Sequence, residues 1–279
     1  MGRLDGKVAM ITGCGGEVGF GRAIAGRLAA EGADLVLTDI APAGTKVVPT
    51  KPATGWGGLD AVAAEVRQAG RRAITALVDV RSAPQIERAV AEALNAFGRI
   101  DILVNNAAAP PGPERVPVVD LPEEVWSLLM DVNLKGSFLC AKAVAATMLR
   151  AQVRGRIINM GSDCGRRGLA NMAAYCASKF GVIGFTQALA HELGPSNVTV
   201  NAVCPGEVDT AMWREHLLPA LSAMRGGDIE AAWQGFISER VPLGRPQTIE
   251  DIGEAVVFLC RAENITGEAL NVTGGSELR

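Results

Sequence analysis

The chain has a single tyrosine, Tyr175, and only two histidines, His191 and His216, which stand far apart in sequence. Its six cysteines, at positions 14, 140, 164, 176, 204 and 260, form no Cys-x-x-Cys pair. Neither a zinc centre nor a disulfide framework is therefore expected, and free buried thiols are the ordinary reading. Cys164 and Cys176 flank Tyr175, yet no base is paired with either in the sequence, which argues against a nucleophilic thiol. Lys/Arg runs do not exceed the pairs Arg71-Arg72 and Arg166-Arg167, and the net charge is -3 with a pI near 5.6. That balance gives no electrostatic case for nucleic acid or an anionic membrane surface, so a small-molecule ligand is expected. No apolar run is long enough to span a bilayer, and Met1 to Met10 passes from charges straight into a strand-like run without a signal-peptide core. A soluble, cytoplasmic protein is expected.

What the sequence does contain is alternation. Strand-like apolar runs, Val8 to Thr12, Leu35 to Asp39, Ala73 to Val78, Ile100 to Asn105, Arg156 to Met160, Thr199 to Cys204 and Ala269 to Val272, are separated by helical patterns. The helices are read near Gly21 to Ala30, Leu59 to Ala69, Ala83 to Phe97, Pro122 to Leu149, Ala173 to Leu193 and Ile249 to Cys260. Several strands are apolar throughout, as in a parallel sheet covered on both faces. Right-handed crossovers then predict an α/β, single-domain, doubly wound (Rossmann) fold over residues 1–279, with a seven-stranded parallel sheet. Two stretches break the rhythm. Residues 40–58 hold three prolines and four glycines and read as an irregular insertion, either a plain surface loop or a cover over a ligand. Residues 208–245, with Met212, Trp213, Leu217, Leu218, Trp233 and Phe236, read as a substrate lid or a subunit interface.

The first strand runs into Thr12-Gly13-Cys14-Gly15-Gly16-Glu17-Val18-Gly19-Phe20-Gly21 just before a helix. Glycines there let the backbone turn and approach a pyrophosphate seated on the helix N-terminus. Asp39 closes the second strand eighteen residues after Gly21, where a carboxylate can accept hydrogen bonds from both ribose hydroxyls and repels a 2'-phosphate. Neither Val18 nor Ile40 supplies a cation for such a phosphate, so NAD (NAD+/NADH) is favoured over NADP. Farther on, Tyr175 and Lys179 stand at i, i+4, so on a helix an ammonium can sit beside a phenol and favour its ionised form. A phenol with a reference pKa of about 10 needs such help to exchange protons near neutrality. The alternative is a core tyrosine with a lysine snorkelling past it.

Taken together, the Gly13, Gly19 and Gly21 loop, Asn105-Asn106-Ala107-Ala108, Asn133, Ser162 and Tyr175-x-x-x-Lys179 resemble the short-chain dehydrogenase/reductase family, in its compact single-domain branch, over essentially the whole chain. The chain departs from the family's TGxxxGxG by two extra residues between Gly13 and Gly19. The resemblance implies a catalytic tetrad of Asn133, Ser162, Tyr175 and Lys179, with Tyr175 as general acid/base. It implies cofactor contacts from Gly13, Gly19, Phe20, Gly21, Asp39, Ile40, Asp79, Val80, Asn105, Ala107, Tyr175, Lys179, Pro205, Gly206, Val208 and Thr210. Candidate substrate residues are Asp163, Leu169, Asn171, Glu207, Met212 and Trp213, with Ala109 and Pro110 nearby; the two acids hint at a polar or amine-bearing substrate and Met212 and Trp213 at an apolar portion. The function implied is an NAD(H)-dependent oxidoreductase interconverting a secondary alcohol and a ketone. Two alternatives stand beside it: a β-ketoacyl thioester reductase using NADPH, against which Asp39 argues, and a catalytically silent NAD-binding regulator, which has no need of Tyr175 or Ser162. The family pairs its two long helices between subunits, so a homotetramer is expected, or failing that a dimer.

Overall fold

The computed structural model describes residues 2–44, 55–110, 112–210, 213–214, 218–224 and 226–278. Its seven strands are β1 (Val8–Thr12), β2 (Asp34–Asp39), β3 (Ala73–Leu77), β4 (Ile102–Asn105), β5 (Arg156–Met160), β6 (Thr199–Pro205) and β7 (Ala269–Val272). They form one parallel sheet in the order β3-β2-β1-β4-β5-β6-β7, as the alternation predicts. β1, β2, β4 and β6 are buried along their whole length. That is why they read as nearly unbroken apolar runs: helices cover both sides of them.

On one side pack α1 (Phe20–Ala30), α2 (Gly58–Gln68) and α9 (Ile249–Arg261), whose Ile24, Leu28, Val62, Ile252 and Val256 meet Ile11, Leu35 and Leu37 of the sheet. On the other lie α3 (Ala83–Phe97), α5 (Gly136–Arg150) and α6 (Ala173–Leu193), which bring Ile86, Val90, Val144, Met148 and Leu193 against Met10, Val36, Leu103 and Ile157. Each such buried side chain contributes roughly 1.5–3 kcal/mol, so removing either layer would leave the sheet unsupported.

The chain winds outward from β1 in both directions, through β2 and β3 on one side and β4 to β7 on the other. The reversal opens a crevice beyond the carboxyl ends of β1 and β4. Thr12 and Asn106 stitch that crevice. The Thr12 hydroxyl accepts from the Asn106 and Ala107 amides at 3.0 Å, and Asn106 Nδ2 donates to the carbonyls of Thr12 (2.8 Å) and Gly13 (2.9 Å). Gly13 adopts φ +75°, and a Cβ there would stand 2.9 Å from Ala107 Cα, so this position requires glycine.

The segment predicted as one helix from Pro122 to Leu149 is divided. It consists of α4 (Glu123–Leu129), a π-helical turn over Met130–Lys135, and α5. The π turn widens the helix where the Asn133 side chain is drawn inward: Asn133 Oδ1 accepts from Ala109 N (2.9 Å), and its Nδ2 donates to Ser178 Oγ (3.1 Å) on α6. Its carbonyl accepts from Ser137 Oγ at 2.7 Å. Of the irregular insertion at 40–58, residues 45–54 lie outside the described residues. Residues 208–245 contribute α7 (Leu218–Met224) and α8 (Ile229–Arg240), the latter capped by Asp228, whose carboxylate accepts from Ala231 N at 2.7 Å.

Candidate active site

β5 delivers the chain to Gly161 and Ser162 at the carboxyl edge of the sheet. A Cβ on Gly161 would meet Cys204 Sγ of β6 at 2.7 Å, so this close crossing needs a glycine. Ser162 is extended and caps the short turn Asp163–Gly165; its Oγ accepts from Cys164 N (3.2 Å) and donates to Asp163 Oδ1 (3.0 Å). α6 then carries Tyr175 and Lys179 along the same wall. Lys179 Nζ lies 5.7 Å from the Tyr175 ring centroid and donates to the Met160 carbonyl at 2.8 Å. Asn133 reaches this helix through Ser178, whose hydroxyl donates to the Tyr175 carbonyl at 2.8 Å. The four tetrad residues thus come together, with Asn133 tied to α6 one residue before Lys179.

The electrostatics differ from the sequence expectation in one respect. Lys179 is nearly fully buried, and desolvation lowers its ammonium pKa to about 8. The Tyr175 phenol is pushed above its ordinary value, mainly by burial and further by the neighbouring Cys164 and Asp163; a hydrogen bond with Ser162 and the charge of Arg115 pull it partly back. Burial thus sets the direction of the phenol's shift, opposite to the lowering expected from Lys179. Burial likewise pushes the Cys164 thiol up to about 12, which removes it as a thiolate nucleophile near neutrality.

At the nucleotide end, α1 begins at Phe20 rather than Gly21, with Gly19 as an N-cap that offers no side-chain partner to the first amides. An added Cβ would meet nothing within 4 Å at Gly16 or Gly19 but would collide with the Gly13 carbonyl oxygen at Gly21. The loop is thus open toward a ligand and tight against the helix behind it. Asp39 has a use in the fold that the sequence did not disclose. Its Oδ2 accepts from Gly15 N and its Oδ1 from Ile40 N, both at 2.8 Å, so the carboxylate anchors the lengthened glycine loop. Trp56 Nε1 donates to the Gly15 carbonyl at 2.8 Å, and Arg22, which holds Glu65 through two nitrogens, lies 4.7 Å from the centre of the Trp56 ring.

These features fit a nicotinamide dinucleotide. Unshared amides at a helix start face an open glycine loop, a carboxylate ends β2, and the buried Thr210 Oγ1 has no hydrogen-bond partner among the described residues. Asp79 keeps its carboxyl below the usual range through hydrogen bonds from Arg81, and Val80 packs against Gly136. Asn105 faces the sheet instead of the crevice: its Nδ2 donates to Asn159 Oδ1 (2.8 Å) and the Ser137 carbonyl (3.2 Å), while Asn106 lines the cavity.

The tetrad wall and the nucleotide end meet in a cavity of about 560 Å³ lined by Phe20, Ser162, Tyr175, Lys179, Pro205, Gly206 and Val208. Across it stand Trp213, Leu221 and Phe236, backed by Trp233; ring centroids within this cluster lie 5.0–6.2 Å apart. Of the candidate substrate residues, Asp163, Leu169, Glu207 and Trp213 line the cavity and Met212 lies outside the described residues. Asn171 does not line it. It is an exposed residue at φ +61°, serving the turn before α6, and Met172 takes its place on the wall. Both acids already have cations. Asp163 pairs with Arg167 at 3.0 Å, and Glu207 accepts from Ser276 Oγ at 2.7 Å and lies 3.5 Å from Arg240. Arg115, Met172 and Arg240 were not singled out in the sequence; Arg115 stands in a Pro/Gly-rich loop with no periodic signal to mark it.

The fold and this cavity define a class, the nucleotide-binding oxidoreductases of doubly wound topology. A family model described as enoyl-(acyl carrier protein) reductase matches residues 13–277. Galactitol 2-dehydrogenase of Agrobacterium fabrum is 36% identical, over 98% of this chain and 98% of the relative. The 3-oxoacyl-[acyl-carrier-protein] reductase of Synechocystis is also 36% identical, over 99% and 98%. Among solved structures, carveol dehydrogenase from Mycobacterium avium in complex with NAD matches with a TM-score of 0.89 and 33% identity, over 99% of both chains. NAD+-bound xylitol dehydrogenase matches at 0.85 and 32%, over 98% of this chain and 100% of that one. The chain belongs to the short-chain dehydrogenase/reductase family and is an oxidoreductase acting on CH–OH groups. Among the described residues no helix is long and apolar enough to cross a membrane, and no group of three metal-ligating side chains occurs.

Proposed function

We propose that the chain is a single-domain, cytoplasmic, NAD-preferring dehydrogenase for a secondary alcohol or the matching ketone, with Tyr175 as its acid/base. The observation that carries this reading is the placement of Ser162, Tyr175 and Lys179 along one wall of the cavity that Phe20 and Gly206 also line. When bound, the cofactor supplies the hydride acceptor in its oxidised form and a positive ring charge. In oxidation, the Tyr175 oxygen takes the hydroxyl proton as the carbinol hydrogen leaves with its electron pair; in reduction it returns that proton. Ser162 Oγ would steady the same oxygen, and Lys179 would bind the ribose next to the nicotinamide. Asn133 holds the register of α6 against the π turn. Asp39 takes the adenosine ribose hydroxyls, and its negative charge disfavours a 2'-phosphate. Asp79 and Val80 border the adenine, while Pro205, Val208 and Thr210 hold the carboxamide end. Residues 208–245 form the lid, with Leu169 and Trp213 as apolar substrate contacts.

The thioester reductase remains a second reading, because the Synechocystis relative carries that name; Asp39 weighs against the NADPH it would need. Exposed Phe138 and Leu149 on α5 and Phe180 on α6 support pairing of these helices in a homotetramer, which light scattering coupled to size exclusion would report as four chain masses. Following NADH absorbance across secondary alcohols and ketones, with NAD and NADP in parallel, tests the main reading. It expects turnover with NAD at least about tenfold better in kcat/KM than with NADP, since a charge-assisted contact contributes about 1.5–3 kcal/mol. No turnover with any member, or a preference for NADP, would overturn it.

A further inference from the structure

We propose that Arg115 forms an anion subsite beside Tyr175, and that the substrate is a hydroxy acid or oxo acid with its carboxylate a few bonds from the reacting carbon and an apolar body beyond. This deepens the proposed dehydrogenase function and rests on it.

Arg115 lines the cavity and stands next to the start of α6, where its Nη1 contacts Met172 Sδ at 3.5 Å, three residues before Tyr175. A thioether is a weak acceptor for a guanidinium. Behind it, the fully buried Glu114 has one oxygen engaged by the Gly112 amide at 2.6 Å and the other 3.6 Å from Arg115 Nε, too long for a hydrogen bond. Arg115 Nε is itself buried with no hydrogen-bond partner among the described residues. The acid therefore fixes one edge of the guanidinium electrostatically, while about a quarter of the side chain stays accessible and the residue lines the cavity. A planar, permanently charged fork held in this way suits a carboxylate.

Arg115 has an acid, Glu114, only at its Nε edge, and the other charges around the cavity are paired as well. Asp163 faces Arg167, Glu207 faces Arg240 and Ser276, and Lys179 donates to the Met160 carbonyl. An amine-bearing substrate would have to displace an arginine from Asp163 or Glu207, whereas a carboxylate at Arg115 replaces only a sulfur contact. The opposite wall of Trp213, Leu221 and Phe236 offers an apolar body a place to pack.

The test reads binding, so it stands apart from turnover. Calorimetric affinities of 3-phenylpropanoate and 3-phenylpropanamide for the NADH-loaded enzyme are compared in the parent, Arg115→Gln and Arg115→Lys. The parent is expected to bind the acid roughly tenfold or more tighter than the amide, as a charge-assisted hydrogen bond allows. Arg115→Gln is expected to lose that ratio and Arg115→Lys to recover part of it. Equal affinities in the parent, or a ratio that survives in Arg115→Gln, would overturn the subsite. Oxidation of the neutral 1-phenylethanol by the parent, read separately, reports on the dehydrogenase function: activity there with no acid preference would remove the subsite alone.

Discussion

The two walls of the cavity are built differently. The tetrad wall hangs from β5, α6 and the π turn, all fixed by buried side chains and by hydrogen bonds that cross between elements, such as Asn133 to Ser178 and Lys179 to Met160. The far wall is made by α7, α8 and Trp213, which pack mainly on one another through Leu218, Trp233, Ile237 and Val241, a small cluster separate from the two main cores. One wall can hold a proton acceptor in place, and the other can be exchanged without disturbing the sheet. Under the proposed function, proton transfer and the Arg115 subsite fall to the first wall, and the apolar part of substrate selection to the second.

Changes on the tetrad wall should act on kcat. Tyr175→Phe is expected to lower kcat by about three orders of magnitude, within the 10²–10⁴ that a positioned acid/base contributes. At the nucleotide end, Asp39→Ala should raise KM for NAD about tenfold to a hundredfold and narrow the gap to NADP, as initial rates with the two cofactors would record. Lys179→Met examines burial itself. A lysine whose folded pKa is about 8 against 10.5 unfolded destabilises the native state while charged, below about pH 8, and that cost is relieved as pH rises toward 10.5. The variant should therefore gain stability relative to the parent at pH 7, on the order of 2 kcal/mol, and lose the advantage by pH 10 in urea unfolding. Asn133→Ala leaves the buried Ala109 amide without its acceptor and should cost about 1–3 kcal/mol in the same assay. On the far wall, Trp213→Ala should raise KM for an apolar alcohol only about threefold to tenfold, with kcat nearly constant. A kcat loss there as large as that of Tyr175→Phe would erase the distinction between the walls.

The same contrast explains what the sequence made legible. Strands β1, β5 and β7 and helices α3 and α6 were readable to the residue; β1 is buried throughout, and the buried Ile86, Ala89, Val90 and Ala93 of α3 keep one helical face. That Ser162, Tyr175 and Lys179 would lie together was readable because one strand end and one helix set their spacing. The π turn was not: nothing in Met130–Lys135 marks a wider turn, and the contacts that Asn133 makes there, with Ala109 and Ser178, are distant in sequence. Nor could the sequence show that Asp163 and Glu207 are already paired, or that Arg115 faces the cavity, since both depend on loops folding back. Asn105 was a candidate and its neighbour Asn106 was not, yet strand alternation turned the first into the sheet and left the second on the cavity wall.

Whether Tyr175 moves the proton is tested most directly by titrating Tyr175→Phe with NADH by fluorescence and measuring turnover on the same preparation. NADH affinity within about twofold of the parent, with kcat lower by about a thousandfold, is the expected pair of results. Unchanged affinity with kcat within tenfold of the parent would contradict the assignment of Tyr175 as the acid/base.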